Sequence, residues 1–345
     1  MVTDTVTGWP VTGGLVLGFA VYPLRVICRA VEPVLLPTFA GSAMRGALFG
    51  AVRDLACVNP AAPSCAACPL HRVCGAALLL ATVDEQGPRG REVPRPFALR
   101  PPLDGGRVVQ PGERFTFGVT LIGEEALRLL PYLVLGLRRV AEVGMGRPVV
   151  TDRGDGAAAR RGRFQVEALL QVNPLTGARQ TVMRAGDALV TLPDTPVTHA
   201  QVMNWCAARG PVSRLTLRLR TPLRLVVDGK LVQRLTFPLV MQRVCRRLTD
   251  LERSYGRVDG LDFREVLARA ADVEVVEDRT RWLDLESKSS RQRRTVPIGG
   301  LVGSVGFTGE LTPFLPWLVW AELVGVGKDV TKGNGVIELA LATSG

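Results

Sequence analysis

Apolar and polar positions along the 345 residues switch repeatedly between a period of two and a helical period. Residues 24–30 alternate and predict a strand, with Arg25 and Arg29 on the face opposite Val26 and Cys28. Across 43–56, Ala43, Met44, Ala47, Leu48, Ala51, Val52 and Leu55 fall at helical spacing, with Ser42 as candidate N-cap. Residues 114–122 alternate again through Phe115, Phe117, Val119 and Leu121. An apolar-faced helix is predicted over 124–143, ended by Gly144, and a strand over 164–172. The same rhythm returns: a strand over 213–227, a helix over 237–255, strand-like 273–285, then strand, helix and final strand within 299–339. The pattern predicts an α+β protein of two ferredoxin-like βαββαβ domains in tandem, 1–205 and 206–345. The linker is expected in an irregular stretch, 173–212, that holds His199, Trp205 and Cys206.

One segment fits neither period. After the first predicted helix come Cys57, Cys65, Cys68 and Cys74, spaced C-x7-C-x2-C-x5-C among prolines and small residues. An insertion at about 57–80 with so few apolar residues needs another source of folding energy, and four thiolates can supply it by closing a metal site. Structural zinc is the default expectation and a [4Fe–4S] cluster the alternative, because four cysteines serve both. The loop resembles the cluster loop of endonuclease-three-like DNA glycosylases. His71 lies inside it but is redundant as a ligand.

The formal net charge of +11 points to an anionic partner, and the excess of arginine over lysine suits bidentate phosphate contacts. Arg243, Arg246, Arg247 and Arg253 lie mostly on the polar face of the helix predicted over 237–255. Further basic positions stand beside turns and loops: Arg147 after Gly144-Met145-Gly146, the cluster Arg160, Arg161 and Arg163, and the run Lys288-Ser289-Ser290-Arg291-Gln292-Arg293-Arg294. The N-terminal MVTDTVTGWP lacks the basic region of a signal peptide, and the apolar runs 13–21 and 311–326 are unfit to span a bilayer. A cytoplasmic protein without a membrane partner is expected. Near the C-terminus, Lys328 and Lys332 sit among the glycines of VGVGKDVTKGNG, where backbone and lysine could cradle a phosphate or simply form a tight turn.

LPTFAGSAMRGALFGAVRDLAC, the cysteine loop, PRPFALRPP, PGERFTFGVTLIG, SSRQRR and GGLVGSVGFTGELTPFLPWL…VGVGKDVTKGNGVIEL follow one another in that order. Together they resemble the CRISPR-associated RAMP endoribonucleases that process precursor CRISPR RNA, over about residues 24–342. The resemblance implies tandem RRM-like domains and binding of the repeat hairpin. It also implies one metal-independent cut at the 3′ base of the stem and other CRISPR effector subunits as partners. The cut is a transesterification in which the 2′-OH attacks the adjacent phosphate, leaving a 2′,3′-cyclic phosphate and a 5′-hydroxyl. Many relatives place a histidine near the start of the first helix and another just before the terminal VGK. Here residues 40–50 contain none, Gly325 takes the second position, and His71 and His199 are the chain's two histidines.

Cations that stabilise the phosphorane are then the expected machinery: Arg45 and Arg25 first, Tyr22 and Lys328 behind them. Arg147, Arg243, Arg246, Arg247, Arg253, Lys288, Ser290, Arg291, Arg293, Arg294, Lys328 and Lys332 are the RNA-binding candidates. The alternative is a non-catalytic, crRNA-capping subunit of an effector complex. A cluster-bearing DNA-repair protein is a third reading, supported by the cysteine loop alone.

Overall fold

The computed structural model describes residues 15–81, 94–151, 158–257, 261–289 and 294–342. In the first half, β1 (Val21–Ala30) and β2 (Val34–Leu35) lead into α1 (Gly41–Ala56) and the short α2 (Gly75–Leu80). Then come β3 (Phe97–Arg100), β4 (Val108–Val109), β5 (Arg114–Ile122) and α3 (Leu130–Val143). Strands β6 (Met145–Thr151), β7 (Ala158–Gly162), β8 (Phe164–Val172) and β9 (Arg179–Arg184) precede α4 (His199–Ala207). The main sheet is antiparallel, in the order β3-β5-β1-β8-β9. Alternation along β1 decides its two faces. Tyr22, Leu24, Val26, Cys28 and Ala30 are buried in a core shared with Met44, Leu48 and Val52 of α1 and Leu133, Val134 and Leu137 of α3. Gly136 lets those helices cross closely, since a Cβ there would lie 2.6 Å from Val52.

The second half repeats the plan with β10 (Arg214–Leu223), β11 (Val226–Val227), β12 (Lys230–Leu231), α5 (Phe237–Tyr255) and α6 (Arg264–Ala270). β13 (Glu274–Asp278), β14 (Arg281–Leu283), β15 (Glu286–Ser289), β16 (Arg294–Pro297), β17 (Gly300–Thr308), α7 (Leu315–Val324) and β18 (Ile337–Leu341) complete it. Its sheet runs β13-β17-β10-β18, with β14 also on β17. In both units the strands around the two main helices stand in the same second-third-first-fourth order. α5 buries Phe237, Val240, Met241, Val244, Leu248 and Leu251 at helical spacing. Phe237 meets Phe307 and Phe314 edge-on at 5.0 and 4.9 Å. α7 is apolar nearly all round because it is wedged between the units: it touches β1 and β5, and Trp320 packs edge-on against Phe19 at 5.2 Å. No helix among the described residues is long and apolar enough to cross a membrane.

Several sequence expectations need correction. Ser42 does not cap α1; the N-cap is Ala40, and the Ser42 hydroxyl bonds that of Ser287 instead. Gly144 turns the chain at a φ of 85°, but residues 145–147 already belong to β6, and Arg160 and Arg161 lie on β7 of the β6–β7 hairpin. The stretch 173–212 is not irregular, since it contains β9, paired to β8, and α4. The signal for α4 was Thr198-x-x-Gln201, which forms a capping box. The helix expected from 124 begins with a 3-10 turn, Glu124–Leu129, because Pro131 sets the start of the α-helix at Leu130.

Candidate nucleic-acid interface

α7 ends at Gly325, whose φ of 71° turns the chain into the glycine loop. That loop, from the second unit, lies backbone to backbone on the first turn of α1, from the first. A Cβ on Gly41 would sit 2.0 Å from the Lys332 carbonyl oxygen, and one on Gly333 would sit 2.7 Å from the Pro101 ring. Ser42–Ser287 ties β15 to the same helix end. Behind the loop, the Lys328 amide donates to the Arg224 carbonyl at 2.9 Å, and Arg224 Nη1 donates to the Gly299 carbonyl at 2.9 Å. Buried Asn334 donates from Nδ2 to the Ile298 carbonyl at 2.8 Å. α1 has neither a side-chain cap nor an acidic residue in its first turn, so the positive end of its dipole is uncompensated by its own side chains.

Beside this junction a cleft of about 600 Å³ separates the open face of the first sheet from α7. Arg25, Arg100 and Arg114 enter it from the sheet, Trp205 from α4 and Glu322 from α7. Pro101, which Gly333 touches, is also one of its walls. Arg100 donates to the Glu322 carbonyl, and burial lowers its pKa against the opposing pull of Glu322. Burial raises the Glu322 carboxyl, with Arg100 working in the other direction.

The cysteine loop sits at the opposite end of α1. Cys57 is the C-cap of α1 and Cys74 the N-cap of α2. All four thiols line one small cavity with Phe49, Arg53, Asn59 and His71. Asn59 Nδ2 donates to Cys68 Sγ at 3.5 Å, and none of the four forms a disulfide. Burial raises the Cys65 pKa, Arg53 opposes it, and the other three cysteines add to it, which places them within electrostatic reach. Among the described residues, however, no three His, Cys, Asp or Glu side chains are gathered closely enough to hold one metal ion. The expected zinc geometry is therefore not formed.

Residues 217–337 match the family model of the CRISPR-associated endoribonuclease Cas6. The second unit therefore carries a Cas6 domain. Residues 19–195 match a second family model, the N-terminal domain AF_1859_N. Two solved structures share the fold. Thermus thermophilus Cas6 (TTHB231) aligns at a TM-score of 0.53 and 13% identity, over 95% of this chain and 100% of that one. A chain of a partial Cas6-RT-Cas1–Cas2 complex aligns at 0.57 and 13% identity over 95% of this chain, which spans 47% of that longer protein. No curated protein matches in sequence.

Within this Cas6 fold the four catalytic candidates are not brought together. Arg25 is exposed on the cleft face of β1, opposite Gly118 of β5 and Leu170 of β8. Tyr22 points to the other face, 6% exposed, its pKa raised by burial and by Glu124. Arg45 is partly buried and donates from Nη2 to the Leu80 carbonyl at 2.8 Å, clasping the end of α2. Lys328 alone is both exposed and on the glycine loop, whereas Lys332 is paired with Asp329 at 2.8 Å. Neither histidine approaches the junction: His71 bonds the Cys68 carbonyl, and burial lowers the pKa of His199 at the start of α4.

The RNA-binding candidates divide too. Arg147, Arg246 and Arg253 are exposed. Arg243 is partly buried and donates to Gln242 at 3.1 Å. Arg247 donates to the Val324 carbonyl at 3.3 Å, and burial brings its pKa down to about 10, so it closes the C-terminal end of α7 instead of facing solvent. Lys288 and Arg294 belong to the hairpin strands β15 and β16, while Ser290, Arg291 and Arg293 lie outside the described residues. Arg100, Arg224 and Asn334 were missed as organisers of the site. PRPFALRPP and KGNG marked two of these positions, but no sequence period shows that they meet across units.

Proposed function

We propose that the chain binds a CRISPR repeat hairpin and cuts precursor CRISPR RNA once at the 3′ base of the stem by 2′-OH attack. The observation that carries this reading is the glycine loop pressed onto the uncapped start of α1, with Lys328 exposed at its tip. Backbone amides, a helix N-terminus and a lysine are the groups that hold a phosphate when no metal is used. In the cut, the 2′ oxygen bonds phosphorus, the bond to the 5′ oxygen breaks, one proton leaves the 2′-OH and one reaches the departing oxygen.

Without a histidine at the junction, rate comes from in-line positioning and from Lys328 at the loop as the cation on the phosphorane, with Arg25 in the neighbouring cleft left to hold flanking RNA phosphates. Arginine, with a pKa above about 12, is a poor base, so slow, single-turnover cutting is expected. Tyr22 and Arg45 hold the frame. Arg147, Arg246 and Arg253 carry the stem phosphates, and the cut product stays in the cytoplasm for other CRISPR subunits. The four-cysteine loop has no part in the chemistry.

Incubating the protein with repeat hairpin RNA in EDTA tests this. One cut, abolished by a 2′-deoxy nucleotide at the cleavage position, is the expected result. Lys328→Ala should slow it on the order of 10²-fold while leaving RNA bound. Tight binding with no cut by the unaltered protein would replace this reading with that of a capping subunit.

A further inference from the structure

We propose that the cysteine loop holds a [4Fe–4S] cluster, with Cys57, Cys65, Cys68 and Cys74 each bonded to a different iron. Three observations lead there. The four thiols line one cavity, so they belong to a single site. That cavity measures about 40 Å³, roughly three times what one water molecule needs, so the thiols border a shared space and do not close on one point. A tetrahedral zinc would draw the four sulfurs onto one centre at about 2.3 Å, hence to roughly 3.8 Å from one another. Among the described residues, no three such side chains are placed to hold one metal ion. Thiolates on separate corners of an iron–sulfur cube stand further apart while still facing one space.

The lining suits the charge. Four thiolates around a [4Fe–4S]²⁺ core carry a net charge of −2, and Arg53 stands in the wall, held by its Nη2 to the Pro60 carbonyl at 3.2 Å. Asn59 already donates to Cys68 sulfur, the kind of contact that tunes clusters. An assembled core binds with four Fe–Sγ bonds formed, the four labile thiolate ligands of its irons displaced and taking up the four cysteine protons, and no electron is transferred.

Its position assigns a structural part. Cys57 closes the C-terminal end of α1, whose 16 residues span about 24 Å. The cluster is therefore remote from the glycine loop and fixes the far end of the helix on which that loop rests.

The full chain should be isolated without oxygen, or treated anaerobically with ferric iron, sulfide and a thiol reductant that reduces half of that iron, then desalted. Brown protein with broad absorbance near about 400 nm is expected, with four irons and four acid-labile sulfides per chain. A Cys65→Ala, Cys68→Ala double variant should lose it, whereas Cys206→Ala, a buried cysteine elsewhere, should keep it. If the double variant fails to fold, the metal and sulfide content of the unaltered chain decides alone. One zinc and no sulfide per chain, two irons per chain, or no metal after reconstitution would overturn the proposal.

Discussion

Gly41→Ala pits helix propensity against the contact between the two units. In a free helix the exchange stabilises by up to about 1 kcal/mol. Here the added methyl would sit 2.0 Å from the Lys332 carbonyl oxygen and 2.9 Å from its carbon. These are backbone atoms, so no rotamer change relieves the clash. The loop must retreat roughly 1.4 Å to reach ordinary contact, and overpacking of this kind costs about 1–3 kcal/mol. The net expectation is a loss of about 1–2 kcal/mol, or about 2–8 °C in Tm. Gly46, one turn further along α1, is exposed, and a methyl there meets nothing within 4 Å. Gly46→Ala should gain up to about 1 kcal/mol, read as a rise of about 2–4 °C. Two identical chemical changes in one helix should thus move thermal unfolding in opposite directions. If the loop also positions the scissile phosphate, a displacement above 1 Å should slow single-turnover cutting on the order of 10²-fold in Gly41→Ala alone. Both variants gaining stability, with cutting unchanged, would refute the placement of the loop on α1.

Arg246→Ala with Arg253→Ala should weaken repeat-RNA binding and shallow its salt dependence while leaving Tm within about 1 °C, because both side chains are exposed. Arg247→Ala should instead lower stability by about 1–3 kcal/mol in urea unfolding, since it uncovers the Val324 carbonyl. Arg45→Ala should lower Tm and reduce binding and cutting together, because Arg45 clasps the Leu80 carbonyl; a selective loss of cutting would restore it as a catalytic group. Glu167 is held below its usual pKa of 4.5, chiefly by its bond to Arg114 and then by Arg29. Its contribution is present above that usual value and is lost as pH falls through the lowered one. Wild type and Glu167→Gln should therefore differ in Tm at neutral pH and converge in strong acid.

Most of the secondary structure was legible because each element buries one face with its own period. β5, β8 and α5 begin and end where the alternation predicts, at Arg114–Ile122, Phe164–Val172 and Phe237–Tyr255. What escaped was decided by partners distant in sequence. Ser42 looked like a cap, yet Ser287, 245 residues away, takes its hydroxyl. Arg45 and Arg247 looked like free surface cations, yet each reaches a carbonyl at a helix end. Charge and helical phase alone say that an arginine could face solvent; they do not say which orphaned carbonyl a second helix will leave beside it. Tyr22 and Arg25 are near neighbours in sequence, but their separation of three puts them on opposite faces of β1, and strand alternation already excluded a shared site for the pair.

α1 connects these features. One end rests under the glycine loop and Ser287; the other is gripped by the cysteine loop, and between them Arg45 holds α2. A nuclease with a well-placed histidine tolerates some play, because proton transfer lowers the barrier independently of the phosphate cradle. On the proposed mechanism that contribution is missing, and the rate depends on how accurately the 2′ oxygen, phosphorus and leaving oxygen are aligned. Loosening the far end of α1 should then slow cutting more than it weakens RNA binding, although that end lies about 24 Å from the loop. The Cys65→Ala, Cys68→Ala variant separates the two effects: a fall in single-turnover rate with an unchanged Kd marks α1 as a positioning element. An unchanged rate in folded, cluster-free protein would mean that the glycine loop and Ser287 fix α1 by themselves.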